Sequence, residues 1–326
     1  MTIYKLLHAD EVYDLDTAHE RWATIMQESR RRPLPSAYQP LPLEGLRYDF
    51  EARALSACLG PAGMARCKEL SLDTPTRRWA ERQVSAPRTP LHSAALLSLG
   101  CLGISERDAE AWMDAPAVHL LSAELWRTLL EDALPTKGGS ALDVGAGSGH
   151  ITEMFAPLFG EVFAVEISDW LVWRLAKRGF ASAKVTDTSL ASLQSRGLPS
   201  AYDVVFALNV LDRVEESAAF LQSLVECVRP GGVLVVALPL PYSAEPWEHQ
   251  AGKKQQEQAE RRVREGALPI EGSSWEAAAD SAASQLEVAG LRLLRIVRAP
   301  YLCQGWLVGG EQLYALDGAI FVARKK

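Results

Sequence analysis

Residues Asp143-Val144-Gly145-Ala146-Gly147-Ser148-Gly149 decide how the rest of the chain is read. They follow a short apolar run, 141–144, and precede a segment with helical patterning, 151–159. Glycines at a strand-to-helix turn let backbone amides and the helix N-terminus come close to a ligand. The spacing is Gly-x-Gly-x-Gly, without the wider Gly-x-Gly-x-x-Gly step of dinucleotide folds. A short glycine run can equally be a plain turn, so its surroundings decide. The next apolar run, 161–165, ends at Glu166, about twenty residues beyond the loop, where an acid can accept both hydroxyls of a ribose. Alone, Glu166 also suits a helix N-terminus, where the macrodipole favours an acid.

Working outward, the pattern predicts a helix over 168–178, a weaker strand near 183–186, and a clear strand over 202–208. A helix over 214–228 follows, stopped by Arg229-Pro230-Gly231-Gly232, where a donor is lost and positive φ is allowed. A buried strand over 233–237, a helix over 274–289 ended by Gly290, and strands over 291–297 and 319–324 complete the series. The last of these reads as part of one run, 314–322. Continuous apolar runs alternating with helices mean an α/β fold with a parallel sheet covered on both faces.

Before residue 138 the punctuation is weaker. Pro33, Pro35, Pro40 and Pro42 make 33–42 an extended strap. Helices are predicted over 50–68, over 94–102 and from Ser105-x-x-Asp108 onward. Leu121, Leu125, Trp126, Leu129 and Leu130 share one helical face, as a helical cap on a larger domain would require. Between the strands over 233–237 and 291–297, residues 253–265 are densely charged and read as a solvated lid or hairpin.

Composition removes several classes of function. The 326 residues are 48% hydrophobic and 23% charged, ordinary for a chain that buries a core. With 34 Lys plus Arg against 41 Asp plus Glu, the net charge is −7, so phosphate counterion release gives no drive for nucleic-acid binding. No apolar run approaches the ~18 residues of a membrane span, and Asp10, Glu11, Asp14 and Asp16 come too early for a signal peptide. The five cysteines are odd in number and spread out, with no Cys-x-x-Cys, which predicts reduced thiols and no metal site. An intracellular monomer is expected, in the cytoplasm or else associated with an organelle.

Loop and acid together resemble the S-adenosylmethionine site of class I methyltransferases. In that fold Asp143, Gly145, Ala146, Gly147, Glu166 and Ile167 would line the donor. Asp187, after the third strand, would hold the adenine amine, unless it is a solvated turn residue. His150 adjoins the loop, as a donor contact or as first-turn surface. The strand over 202–208 would end facing the transferred methyl, which places Asn209 and Asp212 there, with a helix cap as the other role for Asp212. After the strand over 233–237, Leu238-Pro239-Leu240-Pro241-Tyr242 starts a long excursion. Ala299-Pro300-Tyr301 can aim an aromatic ring into the cleft or bury it in the core.

The glycine loop, Val165-Glu166-Ile167-Ser168, Leu208-Asn209-Val210-Leu211-Asp212-Arg213, the Leu-Pro-Leu-Pro-Tyr turn, Pro269 to Trp275 and Pro300-Tyr301-Leu302-Cys303-Gln304-Gly305 occur in that order. So arranged, they resemble the DREV family, the methyltransferase-like-nine type of protein-histidine methyltransferase. The likeness runs from about residue 120 to 322. It departs at Ser148, where the family has an acid, and at the family's hydrophobic N-terminal leader.

The resemblance implies a class I methyltransferase with a Rossmann-like, seven-stranded, mostly parallel sheet over 121–326; residues before about 91 match it poorly. From the residue pattern, a charged insertion at about 244–270 and an N-terminal helical extension over 1–120 are expected. The resemblance also implies S-adenosylmethionine as donor and the pros nitrogen (Nδ1) of histidine in His-x-His stretches of another protein as acceptor. Asn209, Asp212 and Tyr301 would be catalytic. Arg213 and Tyr242 would join Asp212 and Tyr301 in holding substrate, and Asn209 would also touch the donor. The chain's six histidines contain no His-x-His. The alternatives are a small-molecule methyltransferase and a catalytically silent scaffold of the same fold.

Overall fold

The computed structural model describes residues 46–85, 99, 106–114, 117–134, 139–214, 216–242, 266–304 and 313–326. The predicted strap at 33–42, all but residue 99 of the predicted helix over 94–102, and the charged stretch over 253–265 lie outside these residues. So do the ends of the two signals at Ser105 and Gly305.

The first helix, α1 (Ala52–Met64), is shorter than the predicted 50–68. Gly60 at φ 65° and Pro61 interrupt its ladder, since Pro61 lacks an N–H and Gly60 leaves the helical region. The chain then runs beside the sheet edge, where Lys68 N–H donates to Ile296 O and Ile296 N–H to Arg66 O. Next come α2 (Thr74–Ser85), α3 (Glu106–Met113) and the two-residue strand β1 (Val118–His119). In α4 (Ala123–Leu130), Ser122 caps Leu125 N–H, and Trp126, Leu129 and Leu130 are buried on the predicted face.

The alternating part follows as β2 (Ser140–Val144), α5 (Thr152–Phe155), β3 (Glu161–Glu166), α6 (Asp169–Lys177), β4 (Ala181–Lys184), α7 (Leu190–Ser195), β5 (Tyr202–Leu208), α8 (Ser217–Cys227) and β6 (Val228–Pro239). The helix predicted over 151–159 is a single α turn followed by a 3-10 turn that contains Pro157. The helix predicted over 214–228 begins later, at Ser217. The Arg229–Gly232 stretch stops it as expected but bulges inside β6, whose register against β5 shifts there. Then come α9 (Trp275–Val288), β7 (Leu291–Arg298), β8 (Tyr301–Gln304), β9 (Leu313–Leu316) and β10 (Gly318–Lys325).

Seven strands form one sheet in the order β4-β3-β2-β5-β6-β10-β7, parallel except for β10. This is the Rossmann-like fold of class I methyltransferases. Both faces are covered, so successive residues of β2 enter different cores. Leu142 and Val144 join the cluster under α8, α9 and α1, and Ala141 joins the one built on Trp126, Phe155 and Phe206. In the second cluster Phe155 stacks on Phe206 with centroids 3.9 Å apart, and Trp126 meets both edge-on.

The run 314–322, read as one strand, is two strands in two sheets. β9 pairs with β8, and β8 with β1, in a small antiparallel sheet against Trp79 and Ala80 of α2. The chain changes sheet at Asp317. There the buried Arg298 donates to Asp317 Oδ1 at 2.9 Å and also to Oδ2, reaches Asp49 O at 3.2 Å and lies 5.1 Å from the Trp275 ring centroid. Trp275 Nε1–H donates to Gly318 O just beyond the pivot. No helix among the described residues is long and apolar enough to cross a membrane.

Removing one member of a buried ion pair strands the other, at roughly 3–5 kcal/mol. Because the Asp317 side chain is 35% exposed, Arg298→Met is expected near the low end, about 3 kcal/mol, by urea unfolding. An unchanged midpoint contradicts the pivot.

Candidate active site

The carboxyl ends of β2, β3, β4, β5, β6 and β7 share one edge of the sheet. From β2 the chain winds outward through β3 and β4, and from β5 it winds the other way, so a crevice opens between the ends of β2 and β5. The glycine loop leaves β2 there, and Asn209 leaves β5.

The two loops touch. Gly145 has φ 70°, and a Cβ on it would lie 2.6 Å from Val210 Cγ2. Its N–H, like that of Ala146, donates to Val165 O. Gly147, also left-handed at φ 58°, gives its N–H to Glu166 Oε1 at 3.0 Å, while Ile167 N–H reaches Glu166 Oε2 at 2.8 Å. Glu166 is buried, and its two oxygens accept these amides, which fixes the carboxylate at the strand end where an acid can meet ribose hydroxyls. Ile167 is 53% exposed, an apolar surface beside the acid that a nucleobase can cover.

Asp143 is buried behind the loop and accepts Thr152 Oγ1–H at 2.6 Å. Burial pushes its carboxyl up to about 7; the Thr152 hydrogen bond opposes this, and the Glu166 charge adds to it. Thr152 was not singled out in the sequence, although it stands in the first helical turn after the loop. Asp187 is exposed, accepts Ser189 N–H at 2.9 Å, and is held below the usual carboxylate range by Ser189. His150 lies on the far side of the loop, with Nε2 3.4 Å from Asp114 Oδ1.

Across the crevice Asn209 is left-handed at φ 56° and ties its N–H to Ala237 O of β6. Its Nδ2 is buried with no hydrogen-bond partner among the described residues. An unmet buried donor costs about 1–3 kcal/mol, which a ligand acceptor would recover. Asp212 is buried, and Arg213 Nε lies 2.9 Å from its Oδ2. Asp212 does not cap α8, whose N-cap position is Glu216. The Tyr242 hydroxyl donates to Leu211 O at 3.3 Å and sits 3.3 Å from Ser217 Oγ, bracing this loop from β6. Burial lifts the Tyr242 phenol, Ser217 opposing this and the Asp212 charge adding to it. Tyr301 opens β8, just past the end of β7, and is half-buried against the Trp126 cluster.

A family model for DREV methyltransferases matches residues 71–325. The chain belongs to the DREV methyltransferase family. The site of this DREV chain fits S-adenosylmethionine, the donor. The loop is too tight for any side chain at 145, a two-oxygen acid stands beside an exposed isoleucine, and across the crevice a buried amide has no partner among the described residues.

Among curated proteins it is 36% identical over 140 residues to the mitochondrial ubiquinone biosynthesis O-methyltransferase of Schizosaccharomyces pombe, which is 40% of this chain and 51% of that one. It is 27% identical over 136 residues to the corresponding enzyme of Xanthomonas campestris, 40% of this chain and 56% of that one. The DREV chain thus spans about half the length of these relatives. Among solved structures, a putative sarcosine dimethylglycine methyltransferase from Galdieria sulphuraria aligns over 68% of this chain and 99% of its own, at 12% identity and TM-score 0.43. Magnesium protoporphyrin IX methyltransferase from Synechocystis, with bound S-adenosylhomocysteine, aligns over 78% and 95%, at 15% and 0.39.

Two outcomes test this geometry. Placing an L-residue in the left-handed region costs about 1–2 kcal/mol before any clash. Gly145→Ala is therefore expected to weaken S-adenosylhomocysteine binding at least tenfold by calorimetry, with Gly145→Ala/Val210→Ala recovering part of the loss. For Asp143 the folded pKa, about 7, is above the ordinary 3.8. Its stability contribution is therefore whole below about pH 4 and lost as pH rises to about 7. Asp143→Asn should gain on wild type across that window, by roughly 2–4 kcal/mol at pH 8 in urea unfolding. A pH-independent difference would remove Asp143 as the titrating group.

Proposed function

We propose that this chain methylates the pros nitrogen of histidine in His-x-His stretches of another protein, with S-adenosylmethionine as donor. One observation carries the reading: a buried carboxylate, Asp212, stands three residues from the Asn209 amide, which has no partner among the described residues, at the crevice end of β5.

Imidazole, with an unperturbed pKa near ~6.5, is largely neutral and nucleophilic at pH 7, so no strong base is required. What the site must choose is the tautomer. A carboxylate that accepts the N–H of the far nitrogen, Nε2, leaves the lone pair on Nδ1. Asp212 has that role, and the Arg213 guanidinium fixes its orientation. Asn209 and Tyr301 set the ring plane, while Tyr242 holds the 209–214 loop in place. When bound beside the glycine loop and Glu166, the donor would supply an electrophilic methyl carbon whose sulfur leaves as a neutral thioether. The new N–C bond leaves a methylated imidazolium whose N–H faces Asp212 until the proton passes to solvent. Most of the rate then comes from alignment of nitrogen, carbon and sulfur. The acceptor is a separate protein, met by a monomeric enzyme in the cytoplasm.

The names of the curated relatives favour a second reading, a small-molecule acceptor methylated on oxygen. A phenolic oxygen must lose its proton to become a good nucleophile, which a histidine nitrogen need not do. The proposed site supplies a tautomer-setting carboxylate and asks for no strong base.

Asp212→Asn is expected to keep S-adenosylhomocysteine affinity within about threefold and to lower turnover on a His-Ala-His peptide on the order of 100-fold or more. Wild-type turnover in that variant would demote Asp212. Methylation of His-x-His peptides no faster than of unrelated ones, beside turnover of a catechol, would favour the small-molecule reading.

A further inference from the structure

Arg178 follows α6 and touches the donor loop from behind, through three elements at once. Its Nε–H donates to Ser148 O at 2.6 Å, inside the glycine loop. One terminal nitrogen donates to Glu153 Oε1 of α5 at 2.6 Å, and the other to Asp114 Oδ1 and Oδ2 at 2.7 and 2.9 Å. Its stem also packs on the loop. A Cβ at Gly149, which has φ 84°, would lie 3.0 Å from Arg178 Cδ and 3.0 Å from Leu175 Cδ2. The third glycine of the motif therefore makes room for an arginine, whereas the first makes room for Val210.

Asp114 ends α3 in the left-handed region, at φ 57°. Besides Arg178, its Oδ1 lies 3.4 Å from His150 Nε2 and 3.8 Å from Arg174 Nε. Arg174 donates to the carbonyls of Ala111, at 2.8 Å, and of Trp112, and Ser168 donates to Asp108. The helix α3 is thus pinned to α6 along its length, and its last link is the one that also grips the loop.

We propose that Arg178 is a positioning residue for the methyl donor. It preorganises the glycine loop by holding Ser148 O, and through Asp114 it makes the docking of α3 and the binding of the donor one linked event. A loop with three left-handed glycines has many accessible shapes, and ordering it on binding weakens affinity; a loop already held in the bound shape escapes that loss. The latch is what keeps Gly147 N–H on Glu166 before the donor arrives.

The test uses the full chain and S-adenosylhomocysteine, read by calorimetry and by thermal unfolding with and without the ligand. Asp114→Asn keeps the shape and removes the charge; Arg178→Gln removes the fork. Each is expected to weaken S-adenosylhomocysteine binding about tenfold and to shrink the ligand-induced rise in Tm. The double variant should be no weaker than the worse single, because both cut one link. Ligand affinity within twofold of wild type in either folded variant, or additive losses in the double, would overturn the proposal, even if the ligand-free midpoint falls. Where Arg178→Gln does not fold, amide exchange at residues 146–150 in ligand-free Asp114→Asn decides. Faster exchange is expected, and an unchanged rate overturns the latch. No methyl acceptor enters the experiment, so its failure and that of the histidine assignment are separately visible.

Discussion

The contact between Gly145 and Val210 is the constraint on which the site depends. β2 and β5 are neighbours running the same way, yet the chain leaves them toward opposite sides of the sheet. Their loops part over the crevice and press together at its floor, where a single methyl group would lie 2.6 Å from a valine branch. Both loops take up left-handed backbone there, glycine on one side and Asn209 on the other. Asparagine is one of the few non-glycine residues that take up that region routinely. Here the same residue carries a buried amide with no partner among the described residues. Close backbone approach and a waiting donor group are two results of one switch point.

The electrostatics follow from the same crowding. Asp143, Glu166 and Asp212 are all buried near one edge of a chain that already carries −7. Each is compensated locally: Asp143 by the Thr152 hydroxyl, Glu166 by two backbone amides, Asp212 by Arg213. Compensation is incomplete at Asp143, where burial and the nearby Glu166 charge raise the carboxyl to about 7. Carboxylates at this edge suit a ligand that arrives as a sulfonium cation, because buried charge interacts through a lower effective dielectric than water. Glycine loop and acids thus agree on the class of ligand.

The parts legible in the sequence were those written in consecutive residues. Strands buried on both faces read as apolar runs, so β2, β5 and the main part of β6 were found. The loop and Glu166 were found because strand ends place ligand contacts at fixed offsets. What escaped depends on partners far along the chain. Arg178 and Asp114 are 64 residues apart, and nothing local marks either as part of the donor loop. The run 314–322 has the composition of one strand. Its division is imposed at Asp317 by an arginine on another strand and by a second sheet that offers β9 a partner. Likewise the three glycines of the motif look equivalent in sequence, but Val210 crowds the first, Arg178 the third, and only its left-handed backbone marks the second.

Donor and acceptor ends are therefore built by different kinds of constraint. The donor cradle is largely backbone: glycine dihedrals, strand ends and amides directed at one acid. The proposed acceptor end is side chains on separately anchored pieces: the Asn209–Arg213 loop braced by Tyr242, and Tyr301 at the head of a small sheet held through Arg298 and Asp317. Moving that pivot would shift Tyr301 and leave the cradle intact. The proposed imidazole acceptor, which needs only its tautomer chosen, would make few demands on such an assembly. One carboxylate and a ring-facing wall would be enough, so under that proposal acceptor identity rests on two or three side chains at this edge and not on the fold that carries them.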